Sequence, residues 1–217
     1  TIQRDIGIST ISELEGINIP SLLEQKAKNK EFLPRLAATS LETLKKRAHV
    51  LHSIKKPIVY SQISFPQTPY ELYFDIEDDP TQGFVYLHGV YERHDGKEQF
   101  LPFVAKDNTS EAEKQAWKEF WQYIRSLPKD GYCLYYYSKH EPTTYKRMQQ
   151  QYSDVVSVED IDQLFDSSHA IDLYYDCILK KTDWPLYSYS LKEIAQYLKF
   201  NWRDKTPSGA LSIQWFN

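Results

Sequence analysis

Cysteine is scarce in this chain, which has only Cys133 and Cys177 among its 217 residues. Neither cysteine stands at a metal-ligand spacing, and two thiols cannot form the disulfide framework of a small secreted domain. The scarcity excludes disulfide-stapled proteins and cysteine-ligated metal sites. It predicts a reducing compartment, which we take to be the cytoplasm.

Long apolar runs are also missing, since no stretch approaches the roughly 20 residues that a membrane helix needs. The opening residues, TIQRDIGIST, are too polar for a signal peptide, so we expect no membrane partner. The 7 glycines and 11 prolines form no low-complexity tract, which argues against long disorder. Hydrophobic residues make up 41% of the chain and aromatic residues 15%, which is enough to build a full core.

Both ends of the sequence read as cut. The chain begins without methionine and stops inside the apolar segment ALSIQWFN. We therefore expect a longer parent protein with further domains.

A change of pattern and charge near residue 66 indicates two modules. Residues 1–66 carry apolar positions at a spacing of three to four, as in SLLEQKAKNKEFLPRLA and TSLETLKKRAHVLHSI, where Thr39 or Ser40 can cap the second helix. This segment is rich in Lys and Arg and the remainder is acidic, for a net charge of −4. We predict a helical module over 1–66 and a second domain over 67–217.

The second domain is predicted to be an α/β fold, a mixed sheet with flanking helices. ELYFDIE, GFVYLHGVYER and EQFLPFVAK predict three antiparallel strands. A helix follows over TSEAEKQAWKEFWQYIRSLP, where Ser110 can cap the first turn and Glu113 can complete a capping box. YCLYYYS and HAIDLYYDCIL then predict strands added in parallel through helical crossovers, the second turning helical after Asp172. SLKEIAQYLKF and SGALSIQWF predict further helices.

Two carboxylates, Asp75 and Glu77, stand two residues apart at the end of the first strand. Residues two apart on a strand project from the same face, so both side chains can converge on one point. Unpaired, they would repel each other and resist burial, whereas Mg²⁺ takes oxygen ligands of this kind. The sequence therefore predicts a divalent metal site, with a solvated acidic turn as the open alternative.

An EF-hand loop is excluded at the same position. Its sixth residue would be Pro80 where the motif has glycine, and its twelfth would be Tyr86 where the motif has glutamate.

Three later acids are further candidates. Glu141 follows the strand YCLYYYS and opens a helix, and Asp172 ends the strand SHAID. Each is either a third ligand at the carboxyl ends of the strands or an acid with a local structural role. Asp204, in NWRDKTPSG, is a turn residue or an additional ligand. The run Tyr135-Tyr136-Tyr137 is interpreted as residues that pack within a strand, in preference to a platform on which bases stack.

FDIE, YSKHEPTTYKRM, AIDLYYD and YSLKEIAQYLKF with SGALSIQWF together resemble the ribonuclease-H-like exonuclease superfamily with four acidic metal ligands. The resemblance covers about residues 70–217, and the branch it matches is found in predicted RecB-type nucleases. It implies a ribonuclease-H-like fold, a 3'-5' exonuclease site at Asp75, Glu77, Glu141 and Asp172, two Mg²⁺ or Mn²⁺ ions, and DNA repair. The last motif departs from the family, because Ser208 and Ser212 stand where His and Asp are sought.

The N-terminal segment TISELEGINIPSLLEQ resembles a helix-hairpin-helix element, whose turn presents backbone N–H groups to a phosphate. Gly16-Ile17-Asn18 would be that turn, and an ordinary helical linker with a glycine C-cap is the alternative. The basic residues Lys45, Lys46 and Arg47 of this module are candidate nucleic-acid contacts.

We therefore expect a metal-dependent nuclease that hydrolyses phosphodiester bonds of DNA or RNA. The alternative from another class is a catalytically degenerate domain that binds nucleic acid or serves as a scaffold. The altered last motif favours that alternative. A phosphatase is disfavoured because no glycine-rich phosphate loop is present.

Overall fold

The computed structural model describes residues 2–203 and 208–216. The helices in chain order are α1 (Ile2–Ile6), α2 (Ile11–Glu15), α3 (Ile19–Lys28), α4 (Ala38–His49), α5 (Ser110–Ser126), α6 (His140–Gln151), α7 (Val158–Leu164), α8 (Leu191–Tyr197) and α9 (Gly209–Phe216). The strands are β1 (Ile58–Val59), β2 (Tyr70–Asp79), β3 (Phe84–His94), β4 (Lys97–Val104), β5 (Tyr132–Tyr136), β6 (Ala170–Asp172) and β7 (Thr182–Asp183). π-Helical segments cover Val50–Ile54 and Leu173–Leu179.

The chain divides into two compact units. One contains residues 1–62 and 178–198, and the other contains residues 63–177 and 199–217. Residues 178–198, which the sequence assigns to the second domain, thus group with the N-terminal helices. The division into domains at residues 1–66 and 67–217 stays a prediction.

The first unit is built mainly from the predicted N-terminal helices. Ile17, Leu22, Leu33 and Leu41 form its buried centre, which the helices cover with their apolar faces. Strand β1 pairs with β7 in antiparallel fashion, with Ile58 opposite Asp183. The predicted cap of α4 is wrong: Thr39 and Ser40 lie inside this helix, and its N-cap is Ala37, which makes no side-chain capping bond.

The second unit contains a five-stranded sheet in the order β4-β3-β2-β5-β6. Strands β4, β3 and β2 are antiparallel neighbours, and β5 and β6 follow in parallel. The parallel strands require crossovers, which α5 supplies before β5 and which α6 and α7 supply before β6. The mixed sheet with flanking helices predicted from the sequence is confirmed.

The core of this unit lies on one face of the sheet. Leu72, Phe74 and Ile76 alternate along β2 and are buried, because residues two apart share a face. Helix α5 covers them with Trp117 and Phe120. Burying such side chains contributes roughly 1.5–3 kcal/mol each before the entropy of ordering is subtracted. The opposite face of β2 carries Asp75 and Glu77.

Helix α5 starts differently from the prediction. Thr109 is its N-cap, with the hydroxyl accepting from the Ala112 N–H, and Ser110 is its first residue. Glu113 is buried and serves another purpose than a capping box. Its Oε1 accepts the Val85 N–H at 2.6 Å, and its Oε2 accepts the Tyr152 hydroxyl at 2.5 Å. The carboxylate therefore ties α5 to β3 and to the end of α6.

No helix in the described part of the chain is long and apolar enough to cross a bilayer.

Candidate active site

The acidic run at the end of β2 separates into two pairs. Asp75 and Glu77 lie opposite Gly89 and Leu87 of β3, on the face away from the helical core, and the register shifts directly after Glu77. A bulge at this point bends the strand and re-aims the residues that follow. The strand period thus brings Asp75 and Glu77 to one face, as predicted.

Asp78 and Asp79 have other side-chain partners, a distant histidine for Asp78 and the following turn for Asp79. Asp78 Oδ1 lies 3.2 Å from His140 Nε2. Asp79 accepts the Thr81 N–H at 2.9 Å, the Thr81 hydroxyl at 2.6 Å and the Gln82 amide at 2.8 Å. Asp79 therefore shapes the turn between β2 and β3. The alternative interpretation of the acidic run, a solvated turn, describes Asp79 and does not describe Asp75.

Glu141 is buried in the first turn of α6, with 2% of its surface exposed. It hydrogen-bonds to Asp75, a bond that lowers the pKa of Asp75 and raises that of Glu141, so Glu141 is the donor. Burial, and then the Asp75 and Asp172 charges, raise the pKa of Glu141 to about 8. Its Oε2 is buried and has no hydrogen-bond partner within the described residues.

Asp75 itself is accessible to solvent, although it stands on a densely packed sheet. Desolvation, followed by the charge of Glu77, raises its pKa to about 6. Asp75 and Glu141 therefore share a proton near neutral pH and titrate as a coupled pair.

Asp172 ends β6 and is 5% exposed. Its Oδ1 accepts the N–H groups of Ser138 and Tyr175, each at 3.0 Å. Ser138, in the loop between β5 and α6, has a φ of +85°, a conformation that costs energy for a residue with a Cβ. Asp172 thus holds this strained loop and also lies close enough to Glu141 to raise its pKa.

The donor set suits a hard divalent cation, since Asp75, Glu77, Glu141 and Asp172 offer carboxylate oxygens only. The unpartnered Glu141 Oε2 is the atom that a cation would satisfy. Within residues 2–203 and 208–216, however, no three acidic, His or Cys side chains are arranged to hold a metal ion together. Asp75 and Glu141 instead hydrogen-bond to each other, and a bound cation would replace the proton of that bond.

Helix α9, which carries the altered last motif, lies beside this site. The Tyr86 hydroxyl donates to Glu77 Oε2 at 3.3 Å, and Ser212 hydrogen-bonds to Tyr86. Phe216 stacks on the Tyr86 ring with centroids 4.8 Å apart. Ser212 is therefore linked to Glu77 through the Tyr86 hydroxyl. An acidic residue at position 212 would add a negative charge there. Ser208 precedes α9 and is exposed; the predicted additional ligand Asp204 lies outside the described residues.

Sequence reasoning missed a buried pair beneath the site. His88, on the core face of β3, is fully buried, and its Nδ1 lies 2.8 Å from the Tyr145 hydroxyl. Burial lowers the pKa of His88 to about 3, so the imidazole is neutral. Tyr145 stands one turn after Glu141 on α6, and the pair thereby links this helix to β3. The alternation of strand β3 places His88 on the core face, but nothing in the sequence names its partner.

The basic candidates of the first unit have intramolecular partners. Lys45 donates to the Ile17 carbonyl oxygen at 2.8 Å. Lys46 and Arg47 each lie 3.4 Å from the buried Asp183 carboxylate, and Lys46 also covers the Tyr60 ring. Their role in binding nucleic acid stays a prediction.

The segment predicted as a helix-hairpin-helix turn joins α2 to α3, and both that interpretation and the ordinary helical linker stay predictions. Gly16 is the C-cap of α2, and the Asn18 side chain caps α3.

Comparison with protein families gives a match that covers most of the second unit and residues 178–198 of the first. The family model RNase_H_2, described as RNase_H superfamily, matches residues 72–217, which is more than half of the chain. No curated protein and no solved structure gives a match. The match begins within β2, just before Asp75, and spans all the strands and helices that bring the carboxylates together. The chain belongs to the RNase H superfamily.

Proposed function

We propose that this chain is a nuclease that hydrolyses phosphodiester bonds of DNA or RNA, with exonuclease action in the 3'-5' direction and two Mg²⁺ or Mn²⁺ ions. The observation that carries the proposal is the convergence of Asp75, Glu141 and Asp172. They come from β2, α6 and β6, and they interact at the carboxyl ends of parallel strands. Membership in a superfamily of nucleic-acid enzymes agrees with this chemistry. We extend it to a role in DNA repair.

The metal ions, when bound, would generate the attacking hydroxide from water and stabilise the leaving oxygen. Asp75, Glu77, Glu141 and Asp172 would hold them. The chain's own contribution is positional: the Ser138 and Tyr175 N–H groups orient Asp172, and Tyr86 orients Glu77. The proton shared by Asp75 and Glu141 must leave before both carboxylates can act as ligands. Activity should therefore rise with pH.

A second candidate is a domain that binds nucleic acid without hydrolysing it. The observation in its favour is Ser212, which hydrogen-bonds to Tyr86 where an acidic residue would complete the site.

Hydrolysis of end-labelled single-stranded DNA and RNA in Mn²⁺ tests the proposal. Asp75→Asn should lower the rate at least roughly 100-fold, because loss of a ligand costs more than loss of a group that orients one. Asp95→Asn is the matched control, since it is the same substitution at a carboxylate that is 82% exposed in the turn between β3 and β4. It should keep the wild-type rate.

Chelation should abolish the activity that Asp75→Asn removes. Equal traces of cleavage in wild type and Asp75→Asn would identify a contaminant, and oligonucleotide binding without cleavage would then favour the second candidate.

A further inference from the structure

A row of aromatic side chains crosses the sheet on the face that carries Asp75. Tyr135 of β5 is paired with Tyr73 of β2, Tyr73 with Tyr91 of β3, and Tyr91 with Phe100 of β4. Tyr73 stacks on Tyr135 with centroids 5.1 Å apart and meets Tyr91 edge-on at 6.5 Å. We call Tyr73, Tyr91 and Phe100 the aromatic row, because Tyr135 is buried while these three are 37%, 40% and 56% exposed.

The aromatic row is the immediate neighbour of the candidate site. Two residues further along the strands, the facing positions are Asp75, Gly89 and Pro102. A Cβ on Gly89 would lie 3.2 Å from the Phe100 ring, so the missing side chain lets this ring lean over β3 toward the row of Asp75. Adjacent rows on one face of a sheet are about 7 Å apart. A base on the aromatic row and its phosphodiester group at Asp75 are therefore within one nucleotide of each other.

Hydrogen bonds hold the two tyrosines in place. The Tyr73 hydroxyl donates to Glu71 Oε2 at 3.2 Å, and the Tyr91 hydroxyl donates to Glu98 Oε2 at 2.6 Å. Arg93 bridges both glutamates, at 3.2 Å and 2.9 Å. The hydroxyls thus point away from Asp75, and ring surface remains exposed beside the carboxylates. Fixed rings lose little conformational entropy when a ligand stacks on them.

The charges around the aromatic row nearly cancel. Arg93 forms ion pairs with both Glu71 and Glu98, so these three side chains together carry one net negative charge. Arg203 lies close enough to Tyr91 to influence its pKa, and its positive charge offsets this one negative charge. The row therefore does not repel a phosphate backbone strongly, and it offers the bases apolar ring faces.

We propose that Tyr91 and Phe100, with Tyr73 behind them, stack the unpaired bases of the strand whose phosphodiester bond is presented to Asp75. This inference rests on the proposed function and deepens it by naming the substrate class, an unpaired strand end. Inside a duplex each base is already stacked on its neighbours and only the terminal pair exposes a face, so successive bases can stack along the row only when the end is unpaired. The residues act by positioning substrate and by discriminating unpaired from paired ends.

The test measures both binding and turnover. Fluorescence anisotropy with labelled oligothymidine and oligouridine, in chelator and on the Asp75→Asn background, reads binding without hydrolysis. Phe100→Ala should weaken binding roughly 5–150-fold, the range found for loss of one base–aromatic contact. Phe100→Trp should restore it, and Phe100→Leu, which keeps the apolar side chain without a π face, should not. Tyr187→Ala, which removes an 85% exposed tyrosine in the other unit, is the matched control.

In an active wild-type background, Phe100→Ala should raise KM for single-stranded substrate with little change in kcat, and should reduce the preference over a blunt duplex. If wild type hydrolyses nucleic acid and Phe100→Ala and Phe100→Leu leave KM unchanged, the inference is overturned and the proposed function stands. If no variant hydrolyses but Phe100→Ala weakens binding, the stacking surface stands and the proposed function fails. A change of oligomeric state in Phe100→Ala without a change in binding would overturn the inference, since the row would then contact another copy.

Discussion

Among the candidate ligands, Glu141 lies in an environment that strongly disfavours its charged form, because burial raises its pKa. Its native pKa of about 8 exceeds the ordinary value of 4.5, so the folded chain holds a proton that the unfolded chain has released between these limits. The contribution of this proton to the free energy of unfolding is therefore fully present below pH 4.5 and is lost as the pH rises through 8. Glu141→Gln keeps the size of the side chain and removes this titration.

Without divalent ions, Glu141→Gln should thus raise Tm by several degrees at about pH 9 and by much less at about pH 5. Calorimetry in chelator at the two pH values measures the difference. Equal shifts at both would mean that the charge of Glu141 costs nothing in the fold. The same variant should lack nuclease activity, so stability and chemistry would change in opposite directions.

His88 predicts the opposite pH dependence. Its native pKa of about 3 lies below the ordinary 6.5, so the unfolded chain binds the extra proton. The stability that the neutral, buried imidazole provides is present above pH 6.5 and is lost as the pH falls toward 3. His88→Phe should flatten the fall of Tm across this window.

Tyr145→Phe is the companion variant, because it removes the hydroxyl that meets His88 Nδ1 and leaves the imidazole in place. It should cost about 1 kcal/mol of unfolding free energy and keep the wild-type slope. Urea denaturation at several pH values separates the two effects. A wild-type slope in His88→Phe would assign the acid sensitivity to other groups.

The loop from β5 to α6 and the start of the π-helical segment Leu173–Leu179 are joined by Asp172. Because its Oδ1 accepts two backbone N–H groups, the amide oxygen of Asp172→Asn can accept the same bonds. Asp172→Asn should keep Tm near the wild-type value and lose nuclease activity, whereas Asp172→Ala should also lose roughly 1–3 kcal/mol.

Thermal denaturation beside the hydrolysis assay distinguishes a ligand from a purely structural acid. Full activity in a stable Asp172→Asn protein would remove Asp172 from the proposed ligand set. A loss of stability in Asp172→Asn equal to that in Asp172→Ala would show that the charge, and not the accepting oxygen, holds the loop.

The elements that sequence predicted well are those with a repeated pattern. Alternation along β2 placed Asp75 and Glu77 on one face, and the apolar spacing of α5 placed Ala116, Phe120 and Ile124 in the core. The turn from strand to helix after Asp172 was also correct. In β2 and α5 one local period decides which side chains share a face.

Contacts between distant segments could not be predicted in this way. Strands β1 and β7 are two residues long, too short for any period, and they pair residues more than 120 positions apart. The hydrogen bond between Glu141 and Asp75 depends on how α6 packs against the sheet, which no local spacing encodes. The local motif predicted that Glu113 caps α5. Its carboxylate instead binds the Val85 N–H, a contact that exists only once the sheet has folded.

The chain forms two units, and the second, residues 63–177 and 199–217, contains Asp75, Glu77, Glu141 and Asp172. Both thiols of the chain belong to this same unit. Cys133 is fully buried in β5, burial raises its pKa, and Cys177 is 6% exposed. Residues 1–62 and 178–198 contain no cysteine.

A thiol-reactive dye should therefore label the native protein slowly, since the thiolate is scarce and the sulfur atoms are covered. Every modification event would record an opening of the unit that carries the carboxylates, and none would come from the other unit. Labelling rates measured with and without Mn²⁺ would thus report how much a bound cation reduces the opening of this unit. The two native cysteines serve as the probes.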